Sequence, residues 1–384
     1  MILNENFHET ITTQNKVPDC YHKLYFTHDT TSIYTSEYNT ITNSNTVVNV
    51  SLFPSYLQPE FKIDNTVGIV KIPQKKIVGY AVLIKKHTDL ETLFKAEYKK
   101  SFRANILRFV NRFEDCFNAN YKLFFGAISK DEYTFLMNTL HTMLTTRFDQ
   151  RNDSNKVLKN WDTYIETTFG LIKEKKASLF VIYDDTTPVH ICLNHHFDNI
   201  LFVSVPSYDI NYAKFALGNV SLYKLLEWSV NNKYEVMDMA QGYLEYKRRW
   251  SNLIYDFDHH IIYKKQSLKA RLSATIEINK LKFKNFLKSN NIDDLIDKIK
   301  KKLRKAKPYQ EDCLYVFEDA QISDTDAFQK IMEQTTTYNY IQKPINDFLY
   351  TNKEHINDLR IFEVNNKKDY LLAGKKTTKK LTLN

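Results

Sequence analysis

The feature that most constrains this 384-residue chain is the succession of elements between residues 177 and 250. Short β-branched runs joined by turns predict an antiparallel meander at 179–183, 189–197 and 200–205. A polar loop at 206–218 leads into an amphipathic helix at 219–232 and a strand at 234–239. A strand, a small-residue loop and a helix N-terminus form an anion site, because the first N–H groups of a helix have no intrahelical partner. The pattern therefore predicts an α/β protein that binds a phosphate-bearing cofactor.

Glycine placement supports this site, since only seven glycines occur in the chain and Gly218 and Gly242 both fall here. Glycine at a loop–helix junction lets the backbone approach a phosphate and tolerates a positive φ. Lys214 precedes the junction and could neutralise pyrophosphate charge. The predicted cofactor loop consists of Lys214, Phe215, Ala216, Leu217, Gly218 and Asn219.

An ordered set of aromatic, charged and glycine residues runs through the same stretch: Tyr208, Asp209, Tyr212, Lys214, Gly218, Asp238, Gly242, Tyr246, Lys247 and Trp250. This set resembles the GNAT-superfamily acyltransferases, in particular the CelD-like group associated with exopolysaccharide and cell-envelope synthesis. The resemblance extends over about residues 90–263, and Met237 stands where that group usually has an aromatic residue. It implies a GNAT fold, with a mixed, mostly antiparallel sheet flanked by helices, and acyl-CoA as co-substrate.

The resemblance also implies catalytic roles. Lys247 is expected to stabilise negative charge, with Asp238 orienting Lys247 or the acceptor amine. Tyr246 is the predicted proton donor to the leaving thiolate, and Tyr243 is its rival. Substrate contacts are predicted for His196, Tyr208, Gly242 and Trp250.

The general base remains open among three histidines of the second meander strand, His190, His195 and His196. Alternate residues of a strand face opposite sides of a sheet, so His195 and His196 cannot both face the site. Neither His195-His196-x-Asp198 nor the four widely spaced cysteines match an established zinc spacing, and we expect no metal.

The order of elements predicts a second, degenerate unit. Residues 66–148 indicate strand, strand, helix, strand, helix, with a hairpin formed by 67–72 and 77–84 around a turn at Pro73. This order suggests tandem GNAT-like units, as in FemABX-type transferases. We therefore predict an N-terminal GNAT-like unit at 1–148, a catalytic unit at 149–263, and a basic helical segment with a C-terminal α+β extension at 264–384.

Charge is concentrated in residues 264–307, which hold 15 Lys and Arg against 4 Asp and Glu, although the whole chain carries only +9. Such a segment is usually a solvated helical face, but its interleaved Leu and Phe also suit an anionic membrane surface. No apolar run approaches the roughly 18 residues that span a bilayer, and the first residues do not resemble a signal peptide. We expect a cytoplasmic protein and leave a peripheral membrane contact open.

The sequence thus predicts an N-acyltransferase that moves an acyl group from acyl-CoA to a small-molecule amine, such as a sugar nucleotide or envelope precursor. One alternative is a FemABX-like aminoacyl transferase that uses aminoacyl-tRNA, the one case in which a nucleic-acid partner is expected. Another is a non-catalytic GNAT-fold module that binds a membrane or a partner.

Overall fold

The computed structural model describes residues 1–28, 31–36, 45–61, 66–85, 87–151, 156–242, 244–291, 315–320, 329–330, 339–365 and 368–383. Its strands are Ile2–Asn6 (β1), Lys23–Phe26 (β2), Ser32–Thr35 (β3), Val47–Pro54 (β4), Leu57–Glu60 (β5), Val67–Leu83 (β6), Ala119–Phe124 (β7), Ala177–Asp184 (β8), Thr187–Phe197 (β9), Ile200–Tyr208 (β10), Val236–Gln241 (β11), Leu253–Lys264 (β12), Tyr315–Asp319 (β13), Gln329–Lys330 (β14), Arg360–Asn365 (β15), Asp369–Ala373 (β16) and Thr378–Leu383 (β17).

The α-helices are Phe7–Gln14 (α1), Leu90–Glu97 (α2), Lys100–Cys116 (α3), Lys130–Arg151 (α4), Lys156–Lys159 (α5), Trp161–Lys173 (α6), Leu217–Asn231 (α7), Glu245–Trp250 (α8), Leu268–Ser289 (α9) and Gln342–Asn352 (α10). Short 3-10 helices lie at Ile210–Phe215, Asn339–Ile341 and Ile356–Asp358. None of the helices in this described part of the chain combines the length and apolar character that a membrane crossing requires.

Nine strands form one mixed sheet in the order β1-β4-β12-β6-β11-β10-β9-β8-β7. The pairs β1–β4 and β10–β11 are parallel, and the other pairs are antiparallel. The predicted meander is β8–β9–β10, and the predicted helix and strand that follow it are α7 and β11. A mixed, mostly antiparallel sheet flanked by helices is therefore confirmed.

Helices cover both faces of the sheet because side chains alternate along each strand. Leu201 packs with α2, α3, α7 and α10 on one face, and its neighbour Phe202 packs with α1 on the other. At the β8–β9 end, α4 and α6 cover the second face around Leu193. Each fully buried Leu or Phe stabilises the fold by about 1.5–3 kcal/mol, so these three clusters contribute a large part of the stability of the fold.

The predicted hairpin at 67–84 is wrong, because β6 is one continuous strand of 17 residues. Pro73 is tolerated in it because its carbonyl oxygen faces α9, where it accepts a hydrogen bond from Asn285 Nδ2 at 2.7 Å. Pro73 also lies beside a register shift in the pairing of β6 with β12, between Asp256 and Asp258, and such irregularities are where a strand accommodates proline. Lys76 adopts a left-handed backbone conformation, with φ of 59°, in the part of the strand where the sequence had indicated a turn.

Strands from the predicted units 1–148 and 149–263 share this one sheet, since β6 lies between β11 and β12. The boundary at 148 therefore does not separate two sheets, and the tandem units stay a prediction. Beyond residue 264, α9 packs on β6 and β12, and β13–β17 form a second sheet beside α10, an α+β extension as predicted. Residues 292–307 of the predicted basic segment lie outside the described residues.

Candidate active site

The parallel strands β10 and β11 separate part-way along their length. Their pairing runs from Ile200–Val236 to Phe202–Asp238, after which β10 continues to Tyr208 with an irregular register between Val203 and Val205. Strand β11 instead stays paired with β6, from Val236–Leu83 to Gln241–Gly79, with an irregular register between Asp238 and Gln241. Backbone N–H and C=O groups that leave a ladder can bond to an extended ligand, so this opening is a candidate binding cleft.

The N-terminus of α7 follows β10 through the 3-10 helix at Ile210–Phe215. Ala216, with φ of 52°, takes the left-handed conformation there, which corrects the expectation that Gly218 supplies it. Gly218 lies inside the helix, and a Cβ added to it would meet no atom within 4 Å. The N–H groups of Leu217 and Gly218 have no intrahelical acceptor, so this open first turn fits an anionic group.

The other residues of the predicted cofactor loop hold the loop in place. The side chains of Phe215 and Leu217 are fully buried, so only their backbone could contact a ligand. Lys214 Nζ lies 3.2 Å from Asp347 Oδ2 of α10, and its side chain is 46% exposed. Asn219 Oδ1 accepts a 2.9 Å hydrogen bond from Trp250 Nε1, which ties the first turn of α7 to the end of α8.

Asp238 lies at the point of separation and is buried. Tyr56 Oη donates to Oδ2 at 2.8 Å, Tyr255 Oη donates to both carboxylate oxygens at 2.8 and 2.7 Å, and the Ala240 N–H donates to Oδ1 at 2.6 Å. Burial raises the pKa of Asp238, and these hydrogen bonds oppose the rise. Both oxygens of the carboxylate thus accept hydrogen bonds from the protein.

Tyr255 reaches Asp238 from two strands away. The intervening residue on β6 is Gly79, and a Cβ placed there would lie 2.1 Å from Cζ of Tyr255. The absence of a side chain at Gly79 lets the tyrosine ring lie across β6.

Lys247 closes the turn that follows β11. Its Nζ donates to the carbonyl oxygens of Met239 at 2.6 Å and Gln241 at 2.8 Å. Gly242, with φ of 114°, makes this turn possible. Burial lowers the pKa of Lys247 to about 8, and the charge of Asp238 partly offsets the fall. Asp238 and Lys247 therefore hold the same turn from opposite ends, without a direct ion pair between them.

The remaining predicted residues are placed as follows. Tyr246 lies in α8 with 38% of its surface exposed, and Tyr243 lies outside the described residues. Trp250 is fully buried. Tyr208 ends β10, with the Arg147 guanidinium 4.3 Å from its ring centroid.

His195 and His196 face opposite sides of the sheet, as predicted. His196 is saturated, with Nδ1 2.7 Å from Tyr234 Oη and Nε2 2.8 Å from Ser178 Oγ, so it has no nitrogen left for a substrate. His195 Nδ1 lies 2.8 Å from Ser204 Oγ, and its buried Nε2 has no partner among the described residues. Burial lowers the pKa of His195 to about 3, so its ring is neutral at neutral pH.

His195 lies on the Asp238 face, because Phe202 pairs with both residues across the sheet. His8 of α1 packs against Phe202 with ring centroids 5.4 Å apart, and its buried Nε2 is also without a partner in the described chain. Burial, and then the charge of Lys247, lower the pKa of His8 to about 4. Sequence reasoning missed Tyr56 and Tyr255, since only tertiary packing brings them to Asp238. It also missed His8, which packing brings to Phe202.

Comparison with known proteins identifies a domain in this part of the chain. Residues 100–248 match the family model of the acetyltransferase (GNAT) domain. The chain carries a GNAT-type acetyltransferase domain. The matched segment of this GNAT domain contains the whole predicted cofactor loop, Asp238 and Lys247. Two of the hydrogen-bond donors to Asp238, however, are Tyr56 and Tyr255, which lie outside the match.

The chain is similar in fold to several solved structures that are distant from it in sequence. A conserved protein of unknown function from Bacteroides thetaiotaomicron has 10% identity, covers 56% of this chain and 69% of its own, and gives a TM-score of 0.39. FemX has 7% identity over 55% of this chain and 71% of its own, with a TM-score of 0.40. The C-terminal domain of a proposed lysylphosphatidylglycerol synthetase from Agrobacterium fabrum has 7% identity over 60% and 71%, with a TM-score of 0.37. No curated protein sequence matches significantly, and likenesses this distant carry no argument about the reaction.

Proposed function

We propose that this protein is an N-acyltransferase that transfers an acyl group, acetyl in the simplest case, from acyl-CoA to an amine acceptor. The observation that carries the proposal is the cleft between β10 and β11, with the open first turn of α7 after one strand and Lys247 after the other. Acyl-CoA would supply an activated thioester to this cleft.

Anion binding falls to the N-terminus of α7. The amides of Leu217 and Gly218 and the positive end of the helix dipole suit a pyrophosphate, and Lys214 is near enough along the chain to add a positive charge. Phe215 and Leu217 fix the loop through their buried side chains rather than through contact with the ligand.

We assign to Lys247 the stabilisation of the negative charge that develops during the reaction. Two of its three N–H bonds point to carbonyl oxygens, and the third has no partner within the described residues, so it can donate to negative charge that develops beside β11. Asp238 acts as a positioning residue, because its own oxygens are occupied. Tyr246 remains the proposed proton donor.

For substrate contact, the buried Trp250 is assigned a supporting role, since its ring lies in the core and its N–H holds Asn219. The saturated His196 is assigned a supporting role for the same reason. Tyr208 and Gly242, at the ends of the two strands that border the cleft, remain the proposed acceptor contacts. An acceptor amine on a sugar nucleotide or envelope precursor is proposed from the CelD-like resemblance alone.

Calorimetric titration of the purified protein with acetyl-CoA, longer acyl-CoAs and free CoA tests the proposal. Gly218→Trp should weaken binding at least about tenfold, because the indole fills the open turn. Gly170→Trp in α6 is the matched control, since a Cβ added at Gly170 also meets no atom within 4 Å. Lack of binding by any CoA species would overturn the acyl-CoA proposal and favour aminoacyl-tRNA as donor. Equal binding by both variants would remove α7 from the site.

A further inference from the structure

Helix α9 lies in the predicted basic segment, and one side of it is docked on the large sheet. Ala270, Ala274, Glu277 and Leu281 are buried against β6 and β12. The N-terminus is fixed by Ser267, whose Oγ accepts the Ala270 N–H at 3.1 Å. The rotation of the helix about its axis is therefore set by packing, and its opposite side must face away from the protein.

That opposite side carries large apolar residues. They are Leu268, Leu272, Ile276, Phe283 and Phe286, with exposed fractions of 72%, 67%, 66%, 61% and 59%. At 3.6 residues per turn they fall within about 80° of arc, opposite the buried residues, and form a stripe about 27 Å long. A monomeric soluble protein rarely exposes such a contiguous row without a partner.

Positive charge borders the apolar stripe on both sides. On the helical wheel Lys269 and Lys280 lie along one edge, and Arg271 and Lys282 lie along the other. The one acidic residue of α9, Glu277, is on the docked side, where it bonds to Asn49 and Lys280. The exposed face of α9 therefore presents an apolar centre between two basic margins.

We propose that this face of α9 binds the surface of an anionic membrane, with the stripe in the headgroup–acyl boundary and the basic margins on lipid phosphates. A second copy of the chain fits less well, because its own margins would bring like charges together. A nucleic-acid backbone would satisfy the charges and leave the Leu, Ile and Phe side chains in water. An interfacial helix uses both features. This membrane role is separate from the proposed reaction.

Vesicle flotation with the full chain tests the proposal. Binding is expected to mixed phosphatidylcholine and phosphatidylglycerol vesicles and not to phosphatidylcholine alone, and to fall as salt is raised. The double variant Ile276→Glu with Phe283→Glu should weaken binding at least about tenfold, because it places charge in the stripe. The matched control is Leu107→Glu with Phe135→Glu, at exposed positions of α3 and α4.

Equal melting temperatures of the two double variants would show that the stripe substitutions leave the fold intact. Absence of binding to anionic vesicles, or binding lost equally in both variants, would overturn the proposal. A self-association seen by analytical ultracentrifugation that Ile276→Glu abolishes, without vesicle binding, would instead assign the stripe to a second copy.

Discussion

Asp238 is a buried carboxylate to which two distant parts of the chain donate hydrogen bonds. Tyr56 comes from the turn between β4 and β5 and Tyr255 from β12, and the third donor is the N–H of Ala240 in β11 itself. The charge of Asp238 also acts on Lys247. Burial lowers the pKa of Lys247, and the negative charge of Asp238 partly raises it again. The protonation state of Lys247 in the cleft therefore depends on Asp238.

This coupling predicts a titration. Lys247 should titrate at about pH 8, against about 10.4 for an unperturbed lysine, and removal of the Asp238 charge should lower its pKa further. NMR of reductively ¹³C-methylated protein measures both, with Lys247→Arg used to assign the signal. Glu245→Gln, which removes an exposed acid of α8 paired with Arg249, is the control and should leave the value unchanged. A value for Asp238→Asn above that of the wild type would contradict the arrangement.

Among the elements, α10 has an unexpected position, since it brings the C-terminal extension onto the cofactor loop. Asn346 Nδ2 donates to the Asn211 carbonyl at 3.0 Å, and the rings of Tyr350 and Phe215 have centroids 5.2 Å apart. Asp347 holds Lys214 at 3.2 Å and Lys343 at 3.3 Å. The extension therefore competes with any anionic ligand for the charge of Lys214.

Asp347→Asn should therefore strengthen binding of free CoA by about two- to fivefold, because Lys214 no longer faces a carboxylate and can turn to the phosphates. Calorimetry measures the change, and Lys214→Ala in the same background should abolish it. Asp319→Asn, which removes an acid of the same extension paired with Lys379, is the control. Unchanged or weaker affinity in Asp347→Asn would show that Lys214 does not reach the ligand.

Local elements could be predicted from the sequence, and long-range contacts could not. The meander, α7 and β11 follow from hydrophobic periodicity within 10 to 15 residues. The hairpin prediction failed because the residues around Pro73 form the same local pattern in a turn as in a strand whose proline carbonyl bonds to a side chain of a helix. The contacts of Asp238 with Tyr56 and of Lys214 with Asp347 join residues more than 100 positions apart. Hydrophobic periodicity is a local pattern and does not predict such contacts.

At the scale of the molecule, the sheet depends on a strand outside the GNAT match. Strand β6 pairs with β12 from Val67–Lys264 to Ala81–Leu253 and with β11 on its other side. The matched residues 100–248 contain neither β6 nor β12. The GNAT-type domain is therefore not expected to be an autonomous folding unit.

A fragment of residues 87–264 should consequently lack a cooperative urea transition, because β11 and β12 are left without their shared partner. Co-expression with residues 1–85 should restore soluble protein and the transition. The full chain is the reference, and circular dichroism with urea unfolding is the measurement. Cooperative unfolding of the fragment alone would show that β6 is dispensable.

The position of β6 also has a consequence for synthesis. It is finished at Leu83, but its partners β11 and β12 begin only at Val236 and Leu253. At about 5–20 residues per second, a ribosome needs roughly 8 to 31 s to bridge the 153 residues from Leu83 to Val236. For that time a Val- and Ile-rich strand has neither neighbour, and unpaired edges of this kind aggregate readily. Chaperones that bind the nascent chain should therefore affect the yield of this protein more than they affect its final stability.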